Sequence, residues 1–420
     1  MSREDEDAAR FFERFRAPEL GLSTVDIARA VQDGRRRASR RFAAVSVAAC
    51  GLVAVGTVAA MTAPALLATP AKPTSGSPAS AAATSSTATT RSAEPARPRT
   101  DTVAAPTHCT AHALRLPSGS TEGIVTGGDP TGRYLAGYVY GRGEARPVLW
   151  TDGVPKVIDA PHMFGSHVLV NSHGVVAGTG DESVGTRSRY VPWRYEHGTV
   201  ARLATSTASY QLLDLNERGD ILAVEVPAVL SIDWPTGRAE PVVLAHDGQV
   251  RRLDAPAGVG RDFSGGIDDD GTVAGSALEG GGATVWAPDG QRRSLSPDGL
   301  RPGVRDIRNG WVFGGQPLPV GAPGYASVTV WDLRTGATIT HESMQYGGSW
   351  SVNAHGWVAG ATATDPAVGY RDAVVKLPIL PGQVGGAGTS AATISDDGRT
   401  IGGQATTTEV NIVPMRWTCT

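Results

Sequence analysis

Three sets of residues in this 420-residue chain have types and spacings that could do chemistry. The first is the run Asp268, Asp269, Asp270 ahead of Gly271, where carboxylates crowded into a short turn could offer oxygens to a hard cation such as calcium. No Asp-x-Asp-x-Asp-Gly spacing follows, and sibling stretches read NSHG and NERG, so turn formation explains the run better. The second is His108, Cys109 and His112, a zinc- or copper-like donor set in which a metal would compete with any disulfide for Cys109. The third is the carboxylates Asp262, Asp268 and Asp306, which a polymer-cleaving site could gather from distant segments, although carboxylates in turns are commonplace and no pair stands out. The sequence has no GxSxG elbow, HExxH helix, P-loop or strand-bound GxGxxG. The reading is therefore of no catalytic residue, no metal and no cofactor.

The aromatic residues divide in the same way. Trp150, Trp193, Trp286, Trp331 and Trp417 recur at matching places and suit packing between sheets, whereas the irregular Trp234 and Trp350 would better suit stacking on a sugar. Even for those two, core packing is the stronger reading. His173 and His355 fall inside turns, where a solvated histidine is the default.

A regular frame must position all these residues, and it is written in turns. DPTG (129–132), NSHG (171–174), NERG (216–219), DDDG (268–271), IRNG (307–310), NAHG (353–356) and SDDG (395–398) end in Gly132, Gly174, Gly219, Gly271, Gly310, Gly356 and Gly398. Successive closing glycines are 42, 45, 52, 39, 46 and 42 residues apart. A three-residue hairpin loop ends in a left-handed residue that glycine adopts without strain, while Asn, Asp or Ser at its start can bond the turn backbone. Each turn leads into a short strand such as VVAG or WVAG. Most units then carry a third strand ending in tryptophan (PVLW, YVPW, ATVW, VTVW, PMRW) and a turn into a fourth, such as TDGVPKVI. The sixth unit has DAVVKL where its tryptophan strand is expected.

Four strands per period of about 40 to 50 residues is the signature of a propeller blade. The pattern over residues 108–420 resembles the extracellular HAF-type repeat family, whose units follow an "xINxxGxVVGx…AFxWxxG" sense, and more loosely the WD40 and kelch propellers, although the His-Ala-Phe triplet is missing. The expected fold class is all-β, a seven-bladed β-propeller. The last unit stops at PMRWTCT without a fourth strand, and HCTAHALRLP (108–117) precedes the first turn with nothing ahead of it. A shared blade that closes the ring removes two exposed sheet edges. It would also bring Cys109 and Cys419 onto neighbouring strands as a disulfide, worth roughly 4 to 5 kcal/mol for so long a loop in the chain-entropy picture.

The chain ahead of the propeller reads as three further pieces. Residues 42–68 are free of charge and long enough to cross a bilayer as one helix, with Cys50 a small apolar residue within it. The cluster RRRASRR (35–41) precedes the span, so the positive-inside bias puts the N-terminus in the cytoplasm and the rest outside. A cleavable export signal is the alternative, since SRRF faintly resembles a twin-arginine signal, but the apolar run is longer than usual for one. Residues 69–107, rich in Pro, Ser, Thr and Ala, read as a disordered tether. Within 1–41, STVDIARAVQDGRRR has the marks of a short amphipathic helix, lying on anionic lipid through its arginines or docking a cytoplasmic partner through Val25 and Ile27. Similar segments precede the span in actinobacterial membrane proteins, and a composition rich in Arg, Ala and Gly with only three lysines resembles theirs.

With 38 basic and 41 acidic residues the net charge is −3, which gives no electrostatic footprint for nucleic acid. The expected function is a non-enzymatic binding or sensory module for a protein, peptide or glycan, at the cell membrane with the propeller outside. The alternative is a propeller hydrolase or lyase acting on an extracellular or cell-wall polymer.

Overall fold

The computed structural model describes residues 104–420 apart from 142–143, 162–166, 185–186, 204–207, 227–239, 255–262, 278–280, 296–302, 316–326, 346–350, 372, 387 and 410. The tail and span expected over 1–41 and 42–68, most of the 69–107 tether, Cys50, Asp262, Trp234 and Trp350 lie outside these residues. Among the described residues all regular structure is strand, and no helix is long and apolar enough to cross a membrane.

Alternation of buried and exposed residues, broken by tight turns, gives seven antiparallel sheets. Blade 1 runs Glu122–Gly128, Tyr134–Gly141, Glu144–Thr151 and Val154–Val157, each strand paired with the next. The innermost strands of blades 2 to 7 are Val168–Val170, Ser209–Leu215, Phe263–Ile267, Gly303–Arg308, Ser351–Val352 and Ser390–Ile394. Each packs on the next blade, and blade 7 returns to pack on blade 1, so the sheets form a closed seven-bladed ring. Cys109–Ala113 pairs antiparallel with Ile412–Cys419 as the outer strand of blade 7, with Cys109 opposite Cys419 and the two sulfurs bonded.

The blades are held by apolar clusters that straddle their interfaces. Leu222, Val224 and Val243 of blade 3, for example, pack on Phe263, Ile267 and Trp286 of blade 4. Trp150, Trp193, Trp286 and Trp417 are at most 1% exposed and Trp331 is buried. Indole N–H groups find carbonyls in the segment that leads into the blade: Trp150 donates to Arg115 O, Trp286 to Asp254 O and Trp417 to Pro378 O. In the sixth unit the sequence expectation needs correction, because DAVVKL supplies the fourth strand, Ala373–Lys376. The third is Pro366–Tyr370, and Tyr370 stacks edge-on against Trp357.

The inner turns carry a second layer of bonding. Asn171 Oδ1 accepts from the N–H groups of His173 and Val175 in its own turn, while its Nδ2 donates to Asn216 O in the next blade. Asn216 repeats the arrangement onto Asp268 O, and Asn353 onto Ser395 O. One amide thus shapes a turn and latches two blades. The closing glycines of the seven turns all have positive φ, from 69° at Gly398 to 89° at Gly271. At Gly398 a Cβ would also stand 2.1 Å from the Trp357 ring of blade 6, so the turn needs glycine for space as well as for φ.

Blade 5 departs from its siblings. Its turn is not the three-residue loop that IRNG suggests but a two-residue one, Asn309 (φ 47°) and Gly310 (φ 72°), the primed type that Asn-Gly favours. The strand therefore runs one residue further, and Arg308 takes the place held elsewhere by Asn, Asp or Ser.

Candidate functional site in the axial channel and at its turn-side mouth

The innermost strands enclose a cavity of about 170 Å³ on the ring axis, lined by residues from all seven blades. Two residues before each turn, these strands place Gly127, Leu169, Asp214, Gly266, Asp306, Ser351 and Thr393 at equivalent positions. Blades 3 and 5 therefore set carboxyls on either side of the glycine of blade 4. A Cβ on Gly266 would lie 2.9 Å from Asp214 Oδ2, 2.8 Å from Asp306 Oδ1 and 2.7 Å from Ile307 N, so only glycine leaves room for both. Register shifts between Leu212 and Asp214 and between Val304 and Asp306 mark bulges that bend each strand just before its carboxyl.

Both carboxyls are engaged by backbone. Asp214 accepts from Leu215 N at 2.8 Å and from Ile267 N of blade 4 at 2.7 Å. Asp306 accepts from Ile307 N at 2.7 Å and from Val352 N of blade 6 at 2.8 Å. Burial and then the charge of Asp306 push Asp214 up to about 8, against the pull of its two N–H donors and Arg308. Burial likewise pushes Asp306 up, to about 6, with its N–H donors and Arg308 opposing. On the far wall, burial and then Arg305 hold His167 below the usual histidine range.

At the mouth formed by the turns, Arg308 reaches carboxylates from three blades. It stands 3.3 Å from Asp269, 3.7 Å from Asp396 and 3.8 Å from Glu217, with its side chain 14% exposed. Burial works against its charge, but Asp396, Asp269 and Glu217 outweigh it and hold the guanidinium above the ordinary arginine range. The carboxylates are themselves fixed by the preceding blade: Ser172 N–H and O–H donate to Glu217, Glu217 N to Asp269, and Ala354 N to Asp396. Outside this cluster the turns surround a basin of about 960 Å³. His173, Arg218, His246, Asp270, Arg293 and Arg334 are among its lining residues.

Of the residues singled out from sequence, Asp306 lies in the channel. Asp268 closes the blade 4 to blade 5 contact, accepting from Asn309 N and Gly310 N. His173 lies on the basin, and His108 and His112 flank Cys109 on the exposed outer strand of blade 7, where the Cys109 sulfur is committed to the disulfide. Among the described residues no three His, Cys, Asp or Glu side chains group as metal ligands. Sequence reasoning missed Asp214, Glu217, Arg308 and Asp396. The signal for Asp214 and Asp306 was present in LLDLNERG and VRDIRNG, where an acid sits two residues before the turn in two units.

No protein-family model matches the sequence, and no curated protein matches it. Solved structures do share its shape. The β-propeller domain of the Trilobed protease from Pyrococcus furiosus, described as having an open velcro topology, is 10% identical, with a TM-score of 0.51 over 71% of this chain and 94% of that one. A catalytically inactive virginiamycin B lyase from Staphylococcus aureus with quinupristin is 13% identical, with a TM-score of 0.50 over 74% of this chain and 100% of that one. At such identities the likeness is one of fold: this chain carries a seven-bladed β-propeller, closed here by a strand from each end of the ring.

Proposed function

We propose that the chain is a membrane-anchored, extracytoplasmic β-propeller that binds a protein, peptide or glycan without transforming it. The observation that carries this reading is the contrast between the axial cavity and the basin over the turns, which is lined mainly by blades 2 to 5. The inner cavity, about 170 Å³, has room for a few waters and no polymer segment, and backbone N–H groups occupy both of its paired carboxyls. The basin, about 960 Å³, is of ligand size and offers both signs of charge on turns fixed by inter-blade bonds. A hydrolase or lyase needs carboxyls free to face the scissile bond, so the same contrast weighs against that alternative. In this reading residues 1–41 are cytoplasmic, with the 35–41 arginines on anionic lipid, 42–68 span the membrane and 69–107 hold the propeller clear of it.

The test presents full-length protein in lipid nanodiscs to cell-wall fragments and secreted proteins. Wild type should retain a component that the double variant His173→Glu, Arg334→Glu loses. Shortening of a polymer with nothing retained would overturn the reading in favour of the enzyme.

A further inference from the structure

We propose that Asp214 and Asp306 act as a proton-sharing pair that couples closure of the ring across blades 3 to 6 to pH. The proposal stands whether or not the basin binds a ligand. Each carboxyl is an inter-blade staple, Asp214 holding blade 4 through Ile267 N and Asp306 holding blade 6 through Val352 N. Gly266 lets the two approach across blade 4, so their charges meet inside the cavity rather than in bulk water. One proton between them removes the repulsion while leaving oxygens to accept all four N–H bonds. The other blades fill the equivalent position with glycine, leucine, serine or threonine, so the acids are not required by the frame itself.

The neighbours set the direction of the response. Arg308 is the cation both carboxyls feel, but it is shared with Glu217, Asp269 and Asp396 at the mouth. Asp268 adds repulsion on Asp306 and is itself pushed up by burial. On the blade 2 wall His167 is held low by burial and by Arg305 of blade 5, so it is neutral at neutral pH and offers no balancing charge. Blades 1 and 6 contribute Thr126 and Ser351 to the cavity, which do not titrate.

A carboxyl raised in the fold contributes stability that is complete below its unfolded value. That contribution is lost as pH rises through its folded value, here up to about 8 for Asp214. His167, lowered in the fold, acts the other way, and only as pH falls below the usual histidine range of about 6.5. Between about pH 6.5 and about pH 8.5 the buried acids act alone, so the ring weakens as pH rises.

The experiment follows thermal unfolding of the oxidised full-length protein across that window, alongside Asp214→Ser, which installs the residue blade 6 carries at the equivalent place. Wild type should melt lower at the alkaline end, and Asp214→Ser should lose at least half of that difference. An unchanged slope in the variant, or none in wild type, overturns the proposal. Should the variant fail to fold, infrared difference spectra of wild type decide the matter. A protonated carboxyl band present at pH 7 must disappear by about pH 9, and its absence at neutral pH is equally fatal.

Discussion

Acidic residues occupy two levels of the same axis and meet opposite fates. At the turns, Glu217, Asp269 and Asp396 share the guanidinium of Arg308. Three residues deeper along the strands, Asp214 and Asp306 face each other in a small cavity and are driven toward the neutral form. Side-chain chemistry is nearly the same at both levels. What differs is the residue opposite, and that depends on a single turn, the two-residue loop of blade 5 that carries Arg308 into a position where its siblings have Asn, Asp or Ser.

Removing the cation should erase the contrast and produce the largest effect. Arg308→Met leaves three largely covered carboxylates without a counter-charge, and breaking such a buried cluster costs about 3 kcal/mol. Denaturant unfolding at neutral pH measures the loss. The same variant should show a steeper alkaline decline, because Arg308 is the cation that restrains Asp214 and Asp306. A loss no larger than that of an exposed arginine variant would mean the mouth is solvated enough to tolerate three bare carboxylates. Gly266→Ala attacks the deeper level instead. Its methyl would meet both carboxyl oxygens and Ile307 N below 3.0 Å, so overpacking should cost about 2 kcal/mol and push the two acids apart. Its pH slope should flatten as the mutual repulsion falls, which urea melts at two pH values can read.

The two levels were unequally legible in the sequence. The turns announced themselves, because a left-handed closing residue demands glycine and the period repeats it seven times. Ring closure was legible for a similar reason: a missing fourth strand at one end and a surplus strand at the other fit one blade. The inter-blade latches were half visible. Asn at a turn start predicts the bond to its own backbone, but nothing local says that its Nδ2 reaches the next blade. Asp214 is not legible because its partner lies two blades away, and Arg308 because IRNG reads as a longer loop than it forms. Trp234, Trp350 and Asp262 fall in segments outside the described residues, so the stacking and catalytic readings attached to them stay as sequence expectations.

A smaller effect isolates the latch that holds the mouth in register. Asn216 Oδ1 accepts from the N–H groups of Arg218 and Asp220, and its Nδ2 donates to Asp268 O. Asn216→Ala removes both roles from a fully buried position and should cost about 2 kcal/mol, whereas Asn216→Asp keeps the acceptor and removes only the donor. At neutral pH the aspartate would also bring a charge beside Asp268 O, so the two variants separate only under acid conditions, where Asn216→Asp should recover more than Asn216→Ala.

The smallest effect supplies the reference for all the others. Arg133 and Asp152 form an ion pair at 3.7 Å with side chains 59% and 67% exposed, so water screens most of their attraction. Losing the pair should itself change stability by less than about 0.5 kcal/mol and leave the alkaline slope untouched, with Asp152→Ala adding the strain of an alanine at positive φ. Asp152 itself has φ 50° ahead of Gly153, so Asp152→Asn, which tolerates that conformation, is the cleaner control for charge alone. If either variant matched Arg308→Met in unfolding free energy, the difference between the mouth and the outer surface would not be one of burial. The division of the axis into an arginine-paired level and a proton-sharing one would then lose its physical basis.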